Sequence, residues 1–279
     1  MTLREALSSA IHQLRTREDI AEWAARDANL LLQHVTHSTR TQLLAHPERT
    51  LTAEQQVTFN TLIKKRLRAT PIQHLTGKQE FYGRDFLVTP DVLIPRPETE
   101  LIMDEVKALA PAKQQLKITD VGTGSGILAI TLALELPHAH ITALDISPAA
   151  LFVAKQNAQH HNAAARITFL ESDLLASVHE PQDIILSNPP YIGESERNGL
   201  HPQVREHEPS LALFAGASGD DIYHRLIPQA HAMLKPGGVL LLELGTQGHR
   251  LNPLFADWAR IRYAHDLQGI ARVLIARRR

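Results

Sequence analysis

The sequence predicts an α/β protein in which a parallel sheet carries helices on both faces, preceded by a small helical bundle and a β-hairpin linker. Apolar residues recur at helical spacing through residues 1–70, whereas from residue 98 onward short apolar runs alternate with helical patterns. Such alternation is typical of a parallel sheet wound with helices. We therefore expect a helical domain over residues 1–70, a linker over 71–97 and a sheet domain over 98–279.

Composition limits the kinds of partner. The 279 residues include 29 Lys and Arg against 30 Asp and Glu, a formal net charge of −1, and 43% are apolar. Near-neutral charge disfavours a stable nucleic-acid or membrane partner. The absence of cysteine excludes disulfides and Cys-ligated zinc, and the 16 histidines lack metal-ligand spacing, so we expect no metal. With no apolar leader or membrane-length run, we expect a cytoplasmic protein. We also expect a monomer.

The helical domain can be predicted element by element. Thr2 and Glu5 form a capping-box pattern ahead of an apolar stripe that runs to Leu14. Further helical patterns cover residues 20–35, 42–45 and 53–67. Four basic residues follow one another in the last pattern and are predicted to form a solvated face, with an acidic partner as the alternative: Lys64, Lys65, Arg66 and Arg68.

The linker and the sheet domain show strand patterns. Residues 79–82 and 85–88 flank Gly83 and Arg84, which predicts a hairpin with a two-residue turn. Candidate strands cover residues 117–121, 141–146, 167–170, 183–187 and 239–244, with shorter ones at 261–264 and 273–276. Candidate helices cover residues 98–110, 126–136, 148–160, 221–234 and 252–258. Ligands of such sheets bind beyond the carboxyl ends of the strands.

A glycine-rich turn follows the first strand of the sheet. It comprises Asp120, Gly122, Thr123, Gly124, Ser125 and Gly126. Glycines there let the backbone approach a ligand closely, and the following helix aims its N–H groups at it. The spacing G-x-G-x-G differs from the dinucleotide fingerprint and argues against a nicotinamide cofactor.

Acidic residues end the next two strands. Asp145 lies where a carboxylate can accept both hydroxyls of a ribose, although it could instead cap the helix that follows. Asp173 and Leu174 lie where an adenine would be held through its amino group and by apolar contact. For Asp173 a surface-turn carboxylate is the alternative.

The fourth strand ends in Asn188, Pro189, Pro190 and Tyr191. Consecutive prolines cannot continue a hydrogen-bonded ladder, so this segment, the ledge, is predicted to be rigid. Asn188 offers a carbonyl acceptor and two N–H donors in one plane, and the Pro189 carbonyl adds a second acceptor. The ledge is therefore complementary to a planar amide or amidine-like group, against which Tyr191 would form a flat wall.

These three patterns, in this order and at these spacings, resemble the class I S-adenosylmethionine methyltransferases that methylate planar nitrogens. Within that class, the helical N-terminal domain, the hairpin with Phe81 and Tyr82, and the run from Pro95 to Glu100 resemble the release factor glutamine N5-methyltransferases, the PrmC/HemK family. The resemblance implies a Rossmann-like sheet, S-adenosylmethionine as cofactor, and the glutamine of the Gly-Gly-Gln motif in class 1 release factors as substrate. Leu174 departs from the family pattern, in which an aromatic residue often lies beside the adenine.

The resemblance also implies the roles of the site residues. The cofactor-binding set is Asp120, Gly122, Thr123, Gly124, Ser125, Gly126, Asp145, Asp173, Leu174 and Asn188. The catalytic residues are Asn188, Pro189 and Tyr191, and substrate binding adds Pro190. The Asn188 and Pro189 carbonyls would accept the two amide N–H groups of the substrate glutamine.

Other interpretations stay open at this stage. The same ledge could hold the exocyclic amino group of a nucleic-acid base, or the fold could serve as a non-catalytic binding module. Phe81 and Tyr82 could pack between domains or contact substrate, and Arg96 with Glu98 could form an ion pair that fixes the linker. The closing residues Arg277 to Arg279 are predicted to form a solvated tail.

Overall fold

The computed structural model describes residues 1–110, 115–245 and 248–279. The chain divides into two compact units. The helical unit contains Met1–Lys78 and Gly199–His207, and the sheet unit contains Gln79–Asn198 and Glu208–Arg279. The predicted domain boundaries after residues 70 and 97 stay a prediction.

Helices and strands follow one another in the order that the sequence pattern predicts, with additional short helices within the predicted linker and after the ledge. The α-helices are α1 (Leu3–Arg15), α2 (Ala24–Thr36), α3 (Arg40–Ala45), α4 (Ala53–Arg66), α5 (Ile72–Thr76), α6 (Glu100–Leu109), α7 (Ile127–Glu135), α8 (Pro148–His160), α9 (Pro202–His207), α10 (Ser210–Leu213) and α11 (Asp221–Met233). The strands are β1 (Lys78–Phe81), β2 (Arg84–Leu87), β3 (Lys117–Val121), β4 (His140–Asp145), β5 (Ile167–Glu171), β6 (Gln182–Ser187), β7 (Leu234–Glu243), β8 (Trp258–His265) and β9 (Ala271–Arg278). In the described ranges, none of the helices is long and apolar enough to cross a membrane.

The helical unit begins with the predicted cap. The Thr2 hydroxyl accepts the Glu5 N–H, and the Glu5 carboxylate accepts the Thr2 N–H at 2.8 Å, which completes the capping box of α1. Thr52 and Gln55 repeat the arrangement at α4. The second predicted helix starts later than expected, because residues Glu18–Trp23 form a 3-10 helix.

The basic cluster on α4 is not uniformly solvated. Arg66 is 2% exposed, and its Nε donates to the Asp27 carboxylate at 2.6 Å. Its Nη1 donates to the Gln203 side chain at 3.2 Å, which ties the distant α9 segment into the helical unit. The prediction of a solvated face was wrong for Arg66, because a buried carboxylate on α2 compensates its charge.

The hairpin turn lies one residue earlier than predicted. Tyr82 and Gly83 connect β1 to β2, and both have positive φ, 52° and 75°. A two-residue hairpin turn of type I′ requires positive φ at both positions, so the glycine takes the second position rather than the first. The Glu100 carboxylate accepts the Tyr82 N–H at 2.8 Å and fixes this register.

The sheet has seven strands in the order β5-β4-β3-β6-β7-β9-β8. β3 to β7 are parallel as predicted, but β9 pairs with β7 and with β8 in the antiparallel sense. The alternation correctly predicts the parallel pairing of β3 to β7, but not the antiparallel pairing of β8 and β9 at this edge. The connection from β8 to β9 spans only residues 266–270, which suffices for a hairpin but not for a parallel crossover.

Helices cover both faces of the sheet. On one face, α6 and α7 pack on β3 and β6 through residues such as Ile102, Ile130 and Ile118. On the other face, α11 packs through Leu226 against Ile185 of β6 and further apolar residues of β7.

Two predictions near the carboxyl terminus were wrong. Residues predicted as a helix at 252–258 belong to a 3-10 helix, Gly248–Phe255, and to the start of β8 at Trp258. Arg277 and Arg278 belong to β9, where Arg277 is in register with Val239. Because the pairing of β9 with β7 reaches Arg277 and its pairing with β8 reaches Arg278, the run is not a free tail.

Candidate functional site

A cavity of about 240 Å³ lies at the carboxyl ends of β3, β4, β5 and β6, within the sheet unit. Most of the predicted site residues line it: Gly122, Thr123, Gly124, Ser125, Asp145, Asp173, Leu174, Asn188, Pro189 and Pro190. Asp120, Gly126 and Tyr191 are not part of its lining. The parallel sheet thus brings together the glycine-rich turn, the acidic strand ends and the ledge.

Asp145 organises the glycine-rich turn. Its Oδ2 accepts the Gly124 N–H at 2.8 Å and its Oδ1 accepts the Ser147 N–H at 2.9 Å. Burial raises the pKa of this carboxyl group, and the two backbone N–H groups oppose that effect. Asp145 is not the cap of α8, because Ser147 accepts the Ala150 N–H. The alternative assignment of Asp145 as the helix cap was therefore wrong.

Asp120 supports the turn from behind. Its Oδ2 accepts the Thr123 hydroxyl at 2.6 Å and the Ala129 N–H at 3.2 Å, so it joins the turn to α7. Its Oδ1 is buried without a hydrogen-bond partner in the structure. Burial raises the pKa of Asp120 to about 7, although the hydrogen bond from Thr123 lowers it. The structure therefore gives Asp120 a place behind the turn rather than on the cavity wall.

Gly126 is required for packing. Its φ is +83°, and a Cβ built there would lie 2.9 Å from Ile130 Cδ1 and 3.1 Å from Ala154 Cβ. We expect Gly126→Ala to lower the free energy of unfolding by roughly 2–4 kcal/mol, because overpacking adds to the cost of a positive φ. Urea denaturation measures this change.

Gly83 is the matched control for Gly126. It has a similar φ of +75°, but a Cβ there would meet nothing within 4 Å. We expect Gly83→Ala to cost only the conformational part, about 1–2 kcal/mol. Equal losses in the two variants would contradict the close approach of α7 and α8 at Gly126.

The Asp173 carboxylate has a partner at the cavity rim. Its side chain is 49% exposed and accepts a hydrogen bond from Arg225 on α11 at 2.5 Å. Leu174 lines the cavity with a positive φ of 52°, and the half-exposed Ile146 after β4 lines it as well. The rim therefore combines a paired carboxylate with apolar surface from the loops that follow β4 and β5.

The ledge is fixed by hydrogen bonds on both sides. Within it, the Asn188 Nδ2 donates to the Thr99 hydroxyl at 3.1 Å. Beyond it, the Ile192 N–H donates to the Leu213 carbonyl at 3.0 Å. Tyr191 packs against the core on the α11 face instead of lining the cavity. Its pKa is raised to about 12, mainly by burial and to a smaller extent by the negative charge of Glu243.

Other residues that the sequence singled out lie away from the cavity or have different partners. Phe81 is buried in the core on the α6 face, and the Tyr82 hydroxyl donates to Asp104, so neither lines the cavity. Arg96 lines the cavity, but it donates to the buried Glu208 at 2.6 Å. The predicted pairing of Arg96 with Glu98 was therefore wrong.

Thr99 and Glu243 also belong to this region, although neither was among the site residues predicted from sequence patterns. Thr99 lines the cavity, and its hydroxyl donates to the Glu243 carboxylate at 2.6 Å. Glu243 is a carboxylate that directly follows four apolar residues, 239–242, at the end of β7, which is a signal that the sequence did carry. Across the three described ranges, no group of three or more His, Asp and Glu side chains is arranged to hold a metal ion.

Known proteins resemble this chain along its whole length. Residues 5–77 match the family model described as "PrmC N-terminal domain", and residues 98–203 match "Methyltransferase small domain". A protein of Koribacter versatilis named release factor glutamine methyltransferase is 43% identical over 281 residues, covering 100% of this chain and 99% of its own. One of the same name from Coxiella burnetii is 38% identical with the same coverage.

Solved structures share the fold at low identity. The hMettl16 catalytic domain in complex with MAT2A 3′UTR hairpin 1 aligns with a TM-score of 0.58 at 15% identity, over 88% of this chain and 90% of that one. The Thermus thermophilus 16S rRNA N2 G1207 methyltransferase, in complex with AdoMet and guanosine, aligns with a TM-score of 0.54 at 19% identity, over 72% of this chain and 50% of that one.

The strand order, the antiparallel β9, the cavity lined by the glycine-rich turn and the match to the methyltransferase small domain together define an S-adenosylmethionine-dependent methyltransferase of class I. Identities of 38–43% to full-length relatives narrow this class to one group. The chain belongs to the release factor glutamine methyltransferase family.

Proposed function

We propose that this protein transfers the methyl group of S-adenosylmethionine to the side-chain amide nitrogen, N5, of the glutamine in the Gly-Gly-Gln motif of class 1 peptide chain release factors. The observation that carries the proposal is that Asn188 and Pro189 line the same cavity as Gly124 and Asp145. One cavity thus holds a planar acceptor ledge and a cofactor cradle. The names of the full-length relatives support the choice of substrate.

The residues of the cavity fit the cofactor. The glycine-rich turn provides close backbone approach, with Asp120 and Gly126 fixing it from outside the lining. The Asp145 oxygens each accept one backbone N–H and keep further lone pairs for the ribose hydroxyls. Asp173 and Leu174 take the adenine, and Ile146 adds apolar surface. This donor set contains no group that needs a metal ion.

The ledge makes a weak nucleophile reactive by orienting it. A glutamine amide nitrogen is a weak nucleophile because its lone pair is delocalised into the carbonyl. Asn188 Oδ1 and the Pro189 carbonyl accept its two N–H groups, and this fixes the nitrogen with its lone pair directed at the methyl group. When bound, S-adenosylmethionine would supply an electrophilic methyl group to this nitrogen and would leave as a neutral thioether, since its carbon–sulfur bond would break as the carbon–nitrogen bond formed. The acceptor carbonyls stabilise the positive charge on nitrogen, which then loses a proton. Orientation of two bound reactants can lower the activation free energy by roughly 7–11 kcal/mol.

The remaining parts of the proposal concern the partner. The helical unit recognises the release factor, Pro190 contacts the substrate where it lines the cavity, and Tyr191 holds the ledge from the core. The protein acts as a monomer in the cytoplasm, without a metal ion or a stable nucleic-acid or membrane partner. A net charge of −1 and the absence of cysteine support this part of the proposal.

Transfer of labelled methyl groups tests the proposal. The protein is incubated with methyl-labelled S-adenosylmethionine and, in parallel, a release factor, the same factor with its Gly-Gly-Gln glutamine changed to alanine, ribosomal RNA and duplex DNA. We expect label on the unchanged factor alone. Label on the nucleic acids alone would replace this proposal with base methylation, and cofactor binding without any transfer would replace it with a non-catalytic binding module.

A further inference from the structure

Three side chains from separate parts of the chain form one hydrogen-bonded series beside the cavity. The Asn188 Nδ2 donates to Thr99 Oγ1 at 3.1 Å, and Thr99 Oγ1 donates to Glu243 Oε2 at 2.6 Å. Thr99 is 0% exposed and Glu243 is 2% exposed. Asn188 follows β6, Thr99 ends the 3-10 turn Pro97–Thr99, and Glu243 ends β7, so the fold itself fixes the series.

The direction of these hydrogen bonds follows from counting protons. A hydroxyl group has one hydrogen, and an ionised carboxylate has none to offer. The Thr99 hydrogen therefore goes to Glu243, and the Thr99 oxygen can only accept from Asn188. Only the NH₂ end of the Asn188 amide can meet such an acceptor, which leaves the carbonyl end, Oδ1, on the opposite side of the planar group.

We propose that Thr99 and Glu243 are positioning residues that set the orientation of the Asn188 amide, so that Oδ1 and not the NH₂ group faces the methyl-accepting nitrogen. This inference rests on the proposed function. A reversed amide would present N–H donors to the two N–H groups of the substrate, which would remove one of the two acceptors on the ledge. Neither positioning residue needs to touch the substrate for this effect.

The charge of Glu243 decides whether the orientation is enforced. Burial raises the pKa of Glu243 to about 7; the Thr99 hydrogen bond lowers it, the neighbouring Glu98 raises it, and Arg272 and Arg96 lower it. Two phenols also face this region: Tyr191, the last residue of the ledge, and Tyr223 of α11, whose hydroxyl donates to the Glu243 backbone carbonyl.

Protonation of Glu243 removes the constraint. A protonated carboxyl group can donate its own hydrogen to Thr99, whose hydroxyl can then donate to a reversed Asn188 amide. The raised pKa therefore predicts that kcat is highest above pH 7 and falls as the pH drops through about 7. Asp120 titrates in the same range, so the assignment of this inflection requires a variant of Glu243.

The test measures methyl transfer to a release factor by the full-length protein and three variants. Thr99→Val keeps the shape of the side chain but removes the hydroxyl group, and we expect kcat to fall roughly 10- to 100-fold with little change in KM. Thr99→Ser restores the hydroxyl group and should recover kcat to within about threefold. Glu243→Gln imitates the protonated carboxyl group, because its NH₂ end can donate to Thr99, so this variant should lose the inflection near pH 7 and keep at every pH the lower kcat that the unmodified protein shows below pH 7.

The outcomes separate the two proposals. No labelled product with the unmodified protein would defeat the proposed function itself. Normal transfer by the unmodified protein, together with a full kcat in Thr99→Val or an unchanged inflection in Glu243→Gln, would overturn the positioning role alone. A Thr99→Ser variant as poor as Thr99→Val would also overturn it, because the loss would then reflect packing and not the hydroxyl group.

Discussion

Replacement of Asn188 by alanine should lower kcat for glutamine methylation by roughly 10²- to 10³-fold, the loss typical of removing one group that stabilises transition-state charge. The variant lacks the side-chain acceptor on the ledge and keeps only the Pro189 carbonyl. The glycine-rich turn and Asp145 lie on other strand ends and do not depend on this side chain. We therefore expect the Kd for S-adenosylhomocysteine, measured by calorimetry, to stay within about tenfold.

Asn60→Ala provides the matched control for this experiment. It deletes the same side chain at an exposed position on α4, and kcat should be unchanged. An Asn188→Ala variant that still transfers methyl groups at a rate near that of the unmodified protein would contradict the acceptor role of the ledge.

Replacement of Asp145 by alanine should weaken cofactor binding by roughly 10²-fold or more. The carboxylate accepts the Gly124 and Ser147 N–H groups and, in the proposed complex, the ribose hydroxyls. Hydrogen bonds to a charged group contribute about 1.5–3 kcal/mol each, and each 1.4 kcal/mol changes the Kd tenfold. Calorimetric titration with S-adenosylhomocysteine measures the effect directly, without a protein substrate.

Glu171→Ala separates this effect from a general loss of negative charge. Glu171 is the register partner of Asp145 on the neighbouring strand and is exposed. Its removal should leave the Kd unchanged within the error of the titration. Equal weakening in the two variants would show that Asp145 acts only through the net charge of this edge.

Much of the cavity could be predicted because its parts are local sequence patterns at strand ends. A parallel sheet places the carboxyl ends of its strands along one edge, so the turn after β3, Asp145 at the end of β4 and the ledge after β6 had to come together. Their chemistry could be predicted from residue type alone, since glycine, carboxylate and amide groups each have a limited set of partners. The pattern did not distinguish lining residues from supporting ones such as Asp120 and Tyr191.

Contacts between distant residues were not predictable in the same way. Thr99 and Glu243 are separated by 144 positions, and only the pairing of β6 with β7 brings Glu243 beside the ledge. The Arg66 hydrogen bond to Gln203 spans 137 positions. It depends on the segment Gly199–His207, whose sequence pattern does not indicate that it belongs to the helical unit. Periodicity reports which face of an element is buried, but not which element covers it.

Localisation of the transferred methyl group tests the central claim most directly. The release factor is methylated with the isotopically labelled cofactor, digested, and its Gly-Gly-Gln peptide is sequenced by fragmentation mass spectrometry. The ledge predicts one methyl group on the side-chain nitrogen of that glutamine, formed roughly 10²- to 10³-fold more slowly when Asn188→Ala replaces the unmodified protein. A methyl group on the peptide backbone or on another residue, or formation on the same glutamine at an undiminished rate with Asn188→Ala, would contradict the account.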